Sequence, residues 1–408
     1  MAREMKDSGI QWVGIIPADW ECRRLRFLCE IQTGNQDTQD SIPDGLFPFY
    51  VRSPIVERSN KYTFEGPAIL MAGDGAGAGR VFHYVDGKYG CHQRVYSLQK
   101  ITDINRRFLY YYLSNLFYRE IEIANSKSTV DSVRLPMLQN FQVVFPNDHK
   151  QKKIVEHLDS KCAEIDAVLN KTRTSIEEYK KLKQAIITQA VTKGIRGDRP
   201  MKESGVIWLD AVPAEWTISK IKYTIFPKEK PVLPMDEVIT CFRDGTVTLR
   251  RNRREEGFTI SFTENGYQGV DVGDLVIHGM DTFAGAIGCS DSRGKTSPVV
   301  HVCSTVGNNR YFMYFLRYMA YSGVLMDFSN GVRIRSSDFR NFKKLAVFEM
   351  LVPPLREQNK IVDYLDSTLA KIDQVIKQKE ILISELEACK KSAIYEYVTG
   401  KREVPNAY

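Results

Sequence analysis

The chain has no run of about 18 apolar residues, the least a helix needs to cross a bilayer, so no membrane span is expected. The opening Met-Ala-Arg-Glu-Met-Lys-Asp leads into no apolar segment, so a secretory signal is not expected either. The eight cysteines (22, 29, 91, 162, 241, 289, 303 and 389) include no Cys-x-x-Cys pair. That usage fits reduced, mostly buried thiols in a cytoplasmic protein. The six histidines form no ligand-spaced cluster, and no metal site is expected.

Catalytic motifs are equally scarce. There is no Gly-x-Ser-x-Gly elbow, no nuclease-like pair of acids and no Asn-Pro-Pro-Tyr-like loop for methylating a base nitrogen. Asp74-Gly-Ala-Gly-Ala-Gly79 invites a nucleotide-loop reading, but the residues after it, Arg80-Val-Phe-His-Tyr-Val85, read as strand. Without a helix N-terminus there are no oriented amides for a pyrophosphate, so a tight Gly turn near a binding face is expected. Gly294-Lys295-Thr296 ends like a P-loop, but Cys289 stands where the first glycine is required.

What the chain does have is a repeat. Gln151-Lys-Lys-Ile-Val-Glu-His-Leu-Asp-Ser160 is echoed by Gln358-Asn-Lys-Ile-Val-Asp-Tyr-Leu-Asp-Ser367, 207 positions on, and the match runs without a gap to Val191-Thr192 and Val398-Thr399. A second match lies at an offset of 196: Met5-Lys-Asp-Ser-Gly-Ile-Gln-Trp12 with Met201-Lys-Glu-Ser-Gly-Val-Ile-Trp208, and Pro17-Ala-Asp-Trp20 with Pro213-Ala-Glu-Trp216. At 408 residues, two or more domains are expected. The order is arm, globular region, long helix, then the same three again.

In the first long segment Leu158, Ile165, Thr172, Tyr179 and Ile186 recur every seven residues, with Cys162, Leu169 and Ile176 between them. In the second, Leu365, Ile372, Leu386 and Ala393 recur with Leu369, Ile376 and Ile383, and Lys379 breaks the row. This alternation is a coiled-coil seam, and each helix would be roughly 60 Å long. The simplest partner for each is the other, antiparallel; an intermolecular coiled coil is the alternative.

The globular regions, about 22–150 and 219–357, mix short strands with one helix. Phe47–Arg52, Ala68–Ala72, Arg80–Val85 and Arg94–Leu98 read as strands, Asn105–Ile123 as a helix, and Leu138–Pro146 as a final strand. Trp12 and Trp20 are expected to pack the arm onto its own domain. The fold class is therefore α+β: two similar mixed α/β regions separated by two long antiparallel coiled-coil helices in a pseudo-two-fold repeat.

The two regions differ in almost every polar residue between their shared anchors. Basic and amide clusters occur in both: Arg80, His92, Gln93, Arg94 and Lys127 in the first, and Arg243, Arg250, Arg251, Asn252, Arg253, Arg254, Arg293, Lys295, Arg333 and Arg335 in the second. Arg, Asn and Gln read base edges, and Lys and Arg hold phosphates, so these are candidate DNA contacts. The net charge of +7 permits such a partner without demanding one.

The arm Lys6-Asp-Ser-Gly-Ile-Gln-Trp-Val-Gly-x-x-Pro-Ala-Asp-Trp20 and its copy carry a family resemblance. So do Val352-Pro-Pro-Leu-Arg-Glu-Gln358 and the Leu-Asp-x-x-x-x-x-Ile-Asp pattern of each helix. Across the whole chain the sequence resembles the specificity subunit of Type I restriction–modification systems. Phe145-Pro-Asn-Asp-His-Lys-Gln151 departs from the family's Pro-Pro-x-x-Glu-Gln, a change expected to affect the local helix start and not the function.

The resemblance implies target-recognition domains at 1–150 (arm 5–20) and, with a linker, 194–357 (arm 201–216). Spacer helices follow at 151–193 and 358–400, with a tail at 401–408. It implies a non-catalytic, double-stranded-DNA-reading subunit that recognises a bipartite, asymmetric target. It implies two methyltransferase subunits as partners, joined by restriction/translocase subunits. S-adenosylmethionine, ATP and Mg2+ would belong to those partners, with no cofactor in this chain. A methyltransferase with an attached recognition domain, and a coiled-coil scaffold without a DNA role, are the competing readings.

Overall fold

The structure, a computed structural model, describes residues 3–124, 132–253, 264–327 and 339–405. Seven helices are described: α1 (Arg106–Ala124), α2 (Leu135–Asn140), α3 (Asp148–Lys193), α4 (Asn309–Tyr321), α5 (Val324–Asp327), α6 (Phe342–Leu345) and α7 (Leu355–Val398). Two compact units result, and both long helices are shared between them. Unit 1 holds residues 1–173 and 380–408, and unit 2 holds 174–379.

In unit 1 a four-stranded antiparallel sheet has the order Glu30–Thr33, Val95–Gln99, Ala68–Ala72, Phe82–Val85. The central strand Ala68–Ala72 is buried along its whole length, as its unbroken apolar run requires. Against this sheet lies α1, whose Phe108, Leu109, Tyr112, Leu113, Leu116 and Phe117 are fully buried. Asn105 caps it, accepting from the amides of Arg107 (2.9 Å) and Phe108 (3.2 Å). Gln142–Phe145 pairs with Glu21–Arg24 and leads into α3.

The expected strand at Leu138–Pro146 is thus shorter, because Leu138–Asn140 belong to α2. Pro136 sits in the first turn of α2, where its missing N–H costs nothing, and Leu138 is buried beneath it.

Unit 2 repeats the plan. Its four-stranded antiparallel sheet has the order Ile225–Pro227, Val300–Thr305, Leu275–His278, Ile287–Cys289. Helix α4 lies on it, capped by Asn308, and Glu349–Val352 pairs with Thr217–Lys220 ahead of α7. What surrounds this common frame differs. Unit 1 adds a second four-stranded sheet around Phe47–Tyr50 and Lys88–Cys91. Unit 2 adds the hairpin Ile239–Cys241 with Val247–Leu249, and the pair Gln268–Val270 with Gly294–Thr296.

The long helices enter the cores at both ends. In unit 1 Ile154, Leu158 and Cys162 of α3 pack with Ile394, Tyr397 and Val398 of α7. In unit 2 Ile361, Leu365 and Leu369 of α7 pack with Ile187, Ala190 and Val191 of α3. Within each unit the helices are therefore antiparallel. Of the seam residues, Leu158, Leu169, Ile176, Leu365, Ile372 and Ile376 are buried, while Ile165 and Ile383 are half-buried. Lys379, which interrupts the apolar row, places its ammonium 5.8 Å from the Tyr179 ring centroid.

Each globular part is tied to its long helix by the same two devices. Gln151 accepts from the Asn105 amide (2.7 Å) and donates to the Pro146 carbonyl (2.8 Å). Gln358 does the same with Asn308 and Pro353, both at 2.9 Å. Asp159 accepts from Arg107 and from the Tyr111 hydroxyl, and Asp366 accepts from Arg310 and Tyr314. Arg and Tyr four apart share a helix face, so one carboxylate reaches both.

The arms are short hairpins. Trp20 and Trp216 are 2% and 0% exposed, and Trp12 stacks on Phe141 at 5.7 Å, as the arm's expected packing role requires.

Candidate nucleic-acid interface

The Gly turn expected after Asp74 has a counterpart ending at Gly285, and the two take the same place in the two units. Gly75–Gly77 forms a single 3-10 turn between the strands Ala68–Ala72 and Phe82–Val85. Thr282–Ala284 does so between Leu275–His278 and Ile287–Cys289. Glycine is required where each turn ends. Gly79 and Gly285 have φ of 60° and 86°, and a Cβ on Gly79 would meet Ile121 Cδ1 at 2.3 Å. The first turn runs into a strand, so it lacks the helix N-terminus a nucleotide loop needs.

Each turn presents an aspartate, Asp74 beside two arginines and Asp281 beside one. In unit 1 Arg52 donates to Asp74 at 3.2 Å, and Arg94 Nε lies 3.8 Å from the same carboxylate. Gln93 donates to Asp37 at 3.3 Å. A shallow cleft lined by Thr38, Arg52, Glu57, Asp74 and the Gly75–Gly77 turn opens beside them. Ser132 bridges to Asp74, so the chain returns to this face after α1. Arg80 is exposed, with its guanidinium 3.8 Å from the Tyr118 ring centroid.

In unit 2 Arg243 donates to Asp281 at 2.9 Å. Arg243 stands in the turn of the hairpin Ile239–Leu249, next to Asp244, which Arg253 engages at 2.7 Å. Burial pushes the Asp244 carboxyl up, but the bonds from Arg253 and from the Thr246 amide outweigh it and hold it below the usual range. The Arg253 guanidinium also lies 4.2 Å from the Phe242 ring centroid. Arg251 pairs with Glu237 at 2.8 Å, Asn252 donates to Thr248 at 2.9 Å, and Arg250 is half-buried with its Nε 3.5 Å from Thr240 Oγ1.

Three sequence candidates are the most enclosed by partners of their own unit. His92 is 2% exposed. Its Nδ1 accepts the Arg94 amide at 3.0 Å and its Nε2 lies 3.4 Å from Asp37, so it shapes the loop from inside. Arg293 bonds Asp236, Asp271 and the Pro231 carbonyl. Those carboxylates push Arg293 upward; its bonds hold the Asp236 carboxyl below the usual range, and Lys230 first, then Arg293, does the same for Asp271. Lys295 is spent on Glu264 at 2.7 Å. Lys127, Arg254, Arg333 and Arg335 lie outside the described residues.

The sequence reading missed Arg52, Asp37, Asp244 and Asp281. Aligning Gly73–Gly79 with Gly279–Gly285 sets Asp74 against Met280 and Asp281 against Gly75, so the two aspartates fall one position apart. Arg52 carries no local signal, because its partner is 22 residues away.

Chemically the two faces offer guanidinium and amide groups held at turn tips by carboxylates. A guanidinium held this way can pass to a phosphate or to the N7/O6 edge of guanine. Among the described residues no cluster of three or more His, Cys, Asp or Glu could hold a metal, and all eight cysteines are free thiols. No described helix is long and apolar enough to cross a membrane.

Residues 17–178 match the family model described as the Type I restriction modification DNA specificity domain. The chain is 23% identical over 414 residues to the EcoDI specificity subunit of Escherichia coli, spanning 95% of this chain and 90% of that protein. It is 22% identical over 428 residues to the MjaVIII specificity subunit of Methanocaldococcus jannaschii, spanning 96% and 95%. A solved structure from work on assembly and conformational transition of the type I restriction–modification system superposes with a TM-score of 0.65 at 15% identity. It covers 95% of this chain and 99% of that one, and carries the same fold.

Proposed function

We infer that this chain, which belongs to the Type I restriction–modification specificity subunits, reads two unlike half-sites of a split DNA target, one with each globular region. It is the DNA-recognition subunit and not the catalyst of its complex.

One observation carries the division of labour. The two units share a sheet order, a helix and a Gly turn, yet the side chains at that turn differ. Arg52 and Arg94 stand by Asp74 and Gln93 by Asp37, whereas Arg243 and Arg253 stand by Asp281 and Asp244. One frame with two different tips favours an asymmetric, interrupted target over a palindrome.

Residues 22–150 and 219–357 are the proposed readers, with 151–193 and 358–400 as spacer helices. Arg80, Gln93, Arg94, Arg243, Arg250, Arg251, Asn252 and Arg253 remain the candidate contacts, joined by Arg52. The bonds that Asp74, Asp244 and Asp281 make to these arginines are the ones DNA would replace. Half-site centres about one helical turn, roughly 34 Å, apart are the expected geometry.

The partners are two methyltransferase subunits on the exposed faces of α3 and α7, with restriction/translocase subunits joining them in the cytoplasm. S-adenosylmethionine, ATP and Mg2+ act in those subunits. Exchange of residues 22–150 for the corresponding region of another family member tests the proposal: one half of the methylated target changes and the other stays. Change in both halves overturns it. Methyl transfer to DNA by the purified chain alone would favour the methyltransferase reading.

A further inference from the structure

The two arms meet their long helices differently, and the repeat supplies its own control. In unit 2 Trp216 is fully buried and donates its indole N–H to Glu357 at 2.9 Å. Arg199 binds the same carboxylate at 2.6 Å and lies over the Trp216 ring. The indole, the guanidinium and the carboxylate close one buried unit at the start of α7.

In unit 1 Trp20 corresponds to Trp216 and Arg3 to Arg199, and Arg3 again lies over the ring, 5.9 Å from its centroid. The carboxylate is missing. Lys150 stands where unit 2 has Glu357, and it turns away to Asp19 at 2.5 Å. Trp20 is only 2% exposed, and its buried Nε1 has no hydrogen-bond partner among the described residues. An unpaired buried N–H of this kind is destabilising, because it has given up water without gaining an acceptor.

A cavity of about 220 Å³ opens at this point, lined by Trp20, Arg3, Lys150, Lys153, Arg402 and Glu403 among others. Four of these six are cationic. The nearby carboxylates are already engaged, Glu403 with Arg3 at 3.2 Å and Asp19 with Lys150, and neither reaches the indole. Lys153 and Arg402 are exposed, so their side chains can make way for a ligand.

We propose that this cavity is a carboxylate-binding site, in which an acid group from outside the arm takes the place that Glu357 fills in unit 2. One oxygen accepts from Trp20 Nε1, and the charge is met by Arg3 and the surrounding lysines. Free carboxylates and an acidic side chain of a bound protein share this chemistry.

The test uses the full chain with indole-15N tryptophan, which gives four side-chain signals, and Trp20→Phe to identify one of them. Sodium acetate is titrated against sodium chloride at constant ionic strength. Acetate should move the Trp20 signal downfield and saturably while the other three stay. In Lys150→Glu the signal should start downfield and no longer respond.

A Trp20 signal that acetate does not move in the native chain overturns the proposal, as does an unchanged response in folded Lys150→Glu. If that variant does not fold, the native titration decides alone. A second arm, which alone rests on the partner assignment above, adds unlabelled methyltransferase subunit without acetate. A downfield shift then assigns the carboxylate to a side chain of the bound protein. A signal that stays put and still answers to acetate assigns it to a free acid.

Discussion

Lys390 on α7 donates to both carboxylate oxygens of Asp166 on α3, each at 2.7 Å. In unit 2 Lys183 on α3 engages Asp373 on α7, and each residue lies 207 positions from its counterpart. A gapless repeat folded antiparallel offers each pair of facing positions twice, and this ion pair is kept in both. The carboxylates are about half exposed and the lysines about a quarter, so solvent still screens each pair, which contributes about 0.2–1 kcal/mol and serves register more than stability.

Register is testable by reversal. Asp166→Lys should lower the unfolding midpoint of unit 1 by setting two lysines against each other, and Asp166→Lys with Lys390→Asp should recover it. Thermal melts of the four proteins of the cycle measure the coupling, expected below about 1 kcal/mol. A double variant no better than the single one argues against the pairing.

The apolar seam carries more. Leu169→Ala and Ile176→Ala should each cost about 2–4 kcal/mol, because each removes buried methyl groups from a closed interface. Ile383→Ala, at a half-buried position, should cost clearly less. Chemical denaturation that ranks Ile383 above Ile176 contradicts the seam as drawn.

Glu357 gives the second unit a pH dependence that the first lacks at this position. Burial raises its carboxyl, but the bonds from Arg199 and Trp216 outweigh that and hold it below the usual range. A depressed folded pKa contributes stability that is complete above the unfolded value, about 4.3, and is lost as the pH falls through the folded one. Glu357→Gln should therefore destabilise unit 2 by about 3 kcal/mol near neutral pH. Its deficit relative to the native chain should shrink as the pH falls below about 4. A deficit that is flat with pH removes the ion pair as the cause.

At the proposed interface Arg243→Ala and Arg253→Ala should weaken DNA binding while leaving the fold intact. A phosphate contact weakens all sequences and flattens the salt dependence; a base contact relaxes one position at about 1–3 kcal/mol. Arg293→Ala should instead lower the melting temperature of unit 2, because it leaves Asp236 buried without its partner. If Arg293→Ala alone lost DNA binding with no change in melting, the roles assigned to these arginines would be reversed.

The helices, the doubled plan and the α1 and α4 faces were legible in the sequence because they rest on periodicity and on exact spacing within a few turns. The candidate site was legible only in part. His92 and Arg293 look like surface readers in a string of letters. What buries or engages them is far along the chain: Asp37 in one case, and Asp236, 57 residues away, in the other. Arg52 was invisible for the same reason. The Asp159 and Asp366 anchors did leave a signal, since Arg107 with Tyr111 and Arg310 with Tyr314 keep one spacing in both copies. It becomes meaningful only once the long helix is known to pass alongside.

The spacer role proposed for α3 and α7 has its own expected outcome. Insertion of a few residues in the middle of both helices should change the length between half-sites and leave the bases of each half unchanged. Sequencing of methylated adenines in cells that carry the insertion together with the methyltransferase subunit reads both at once. Altered half-site bases with an unchanged spacer would contradict that role.

The central claim is that each globular region reads one half of the target alone. Its most direct measurement is the methylated-adenine map of the native chain beside that of a chimera in which only residues 22–150 are replaced. The account predicts two bipartite motifs that share one half-site and one spacer length and differ in the other half-site. A chimera that folds and methylates, but alters both half-sites or neither, would contradict it.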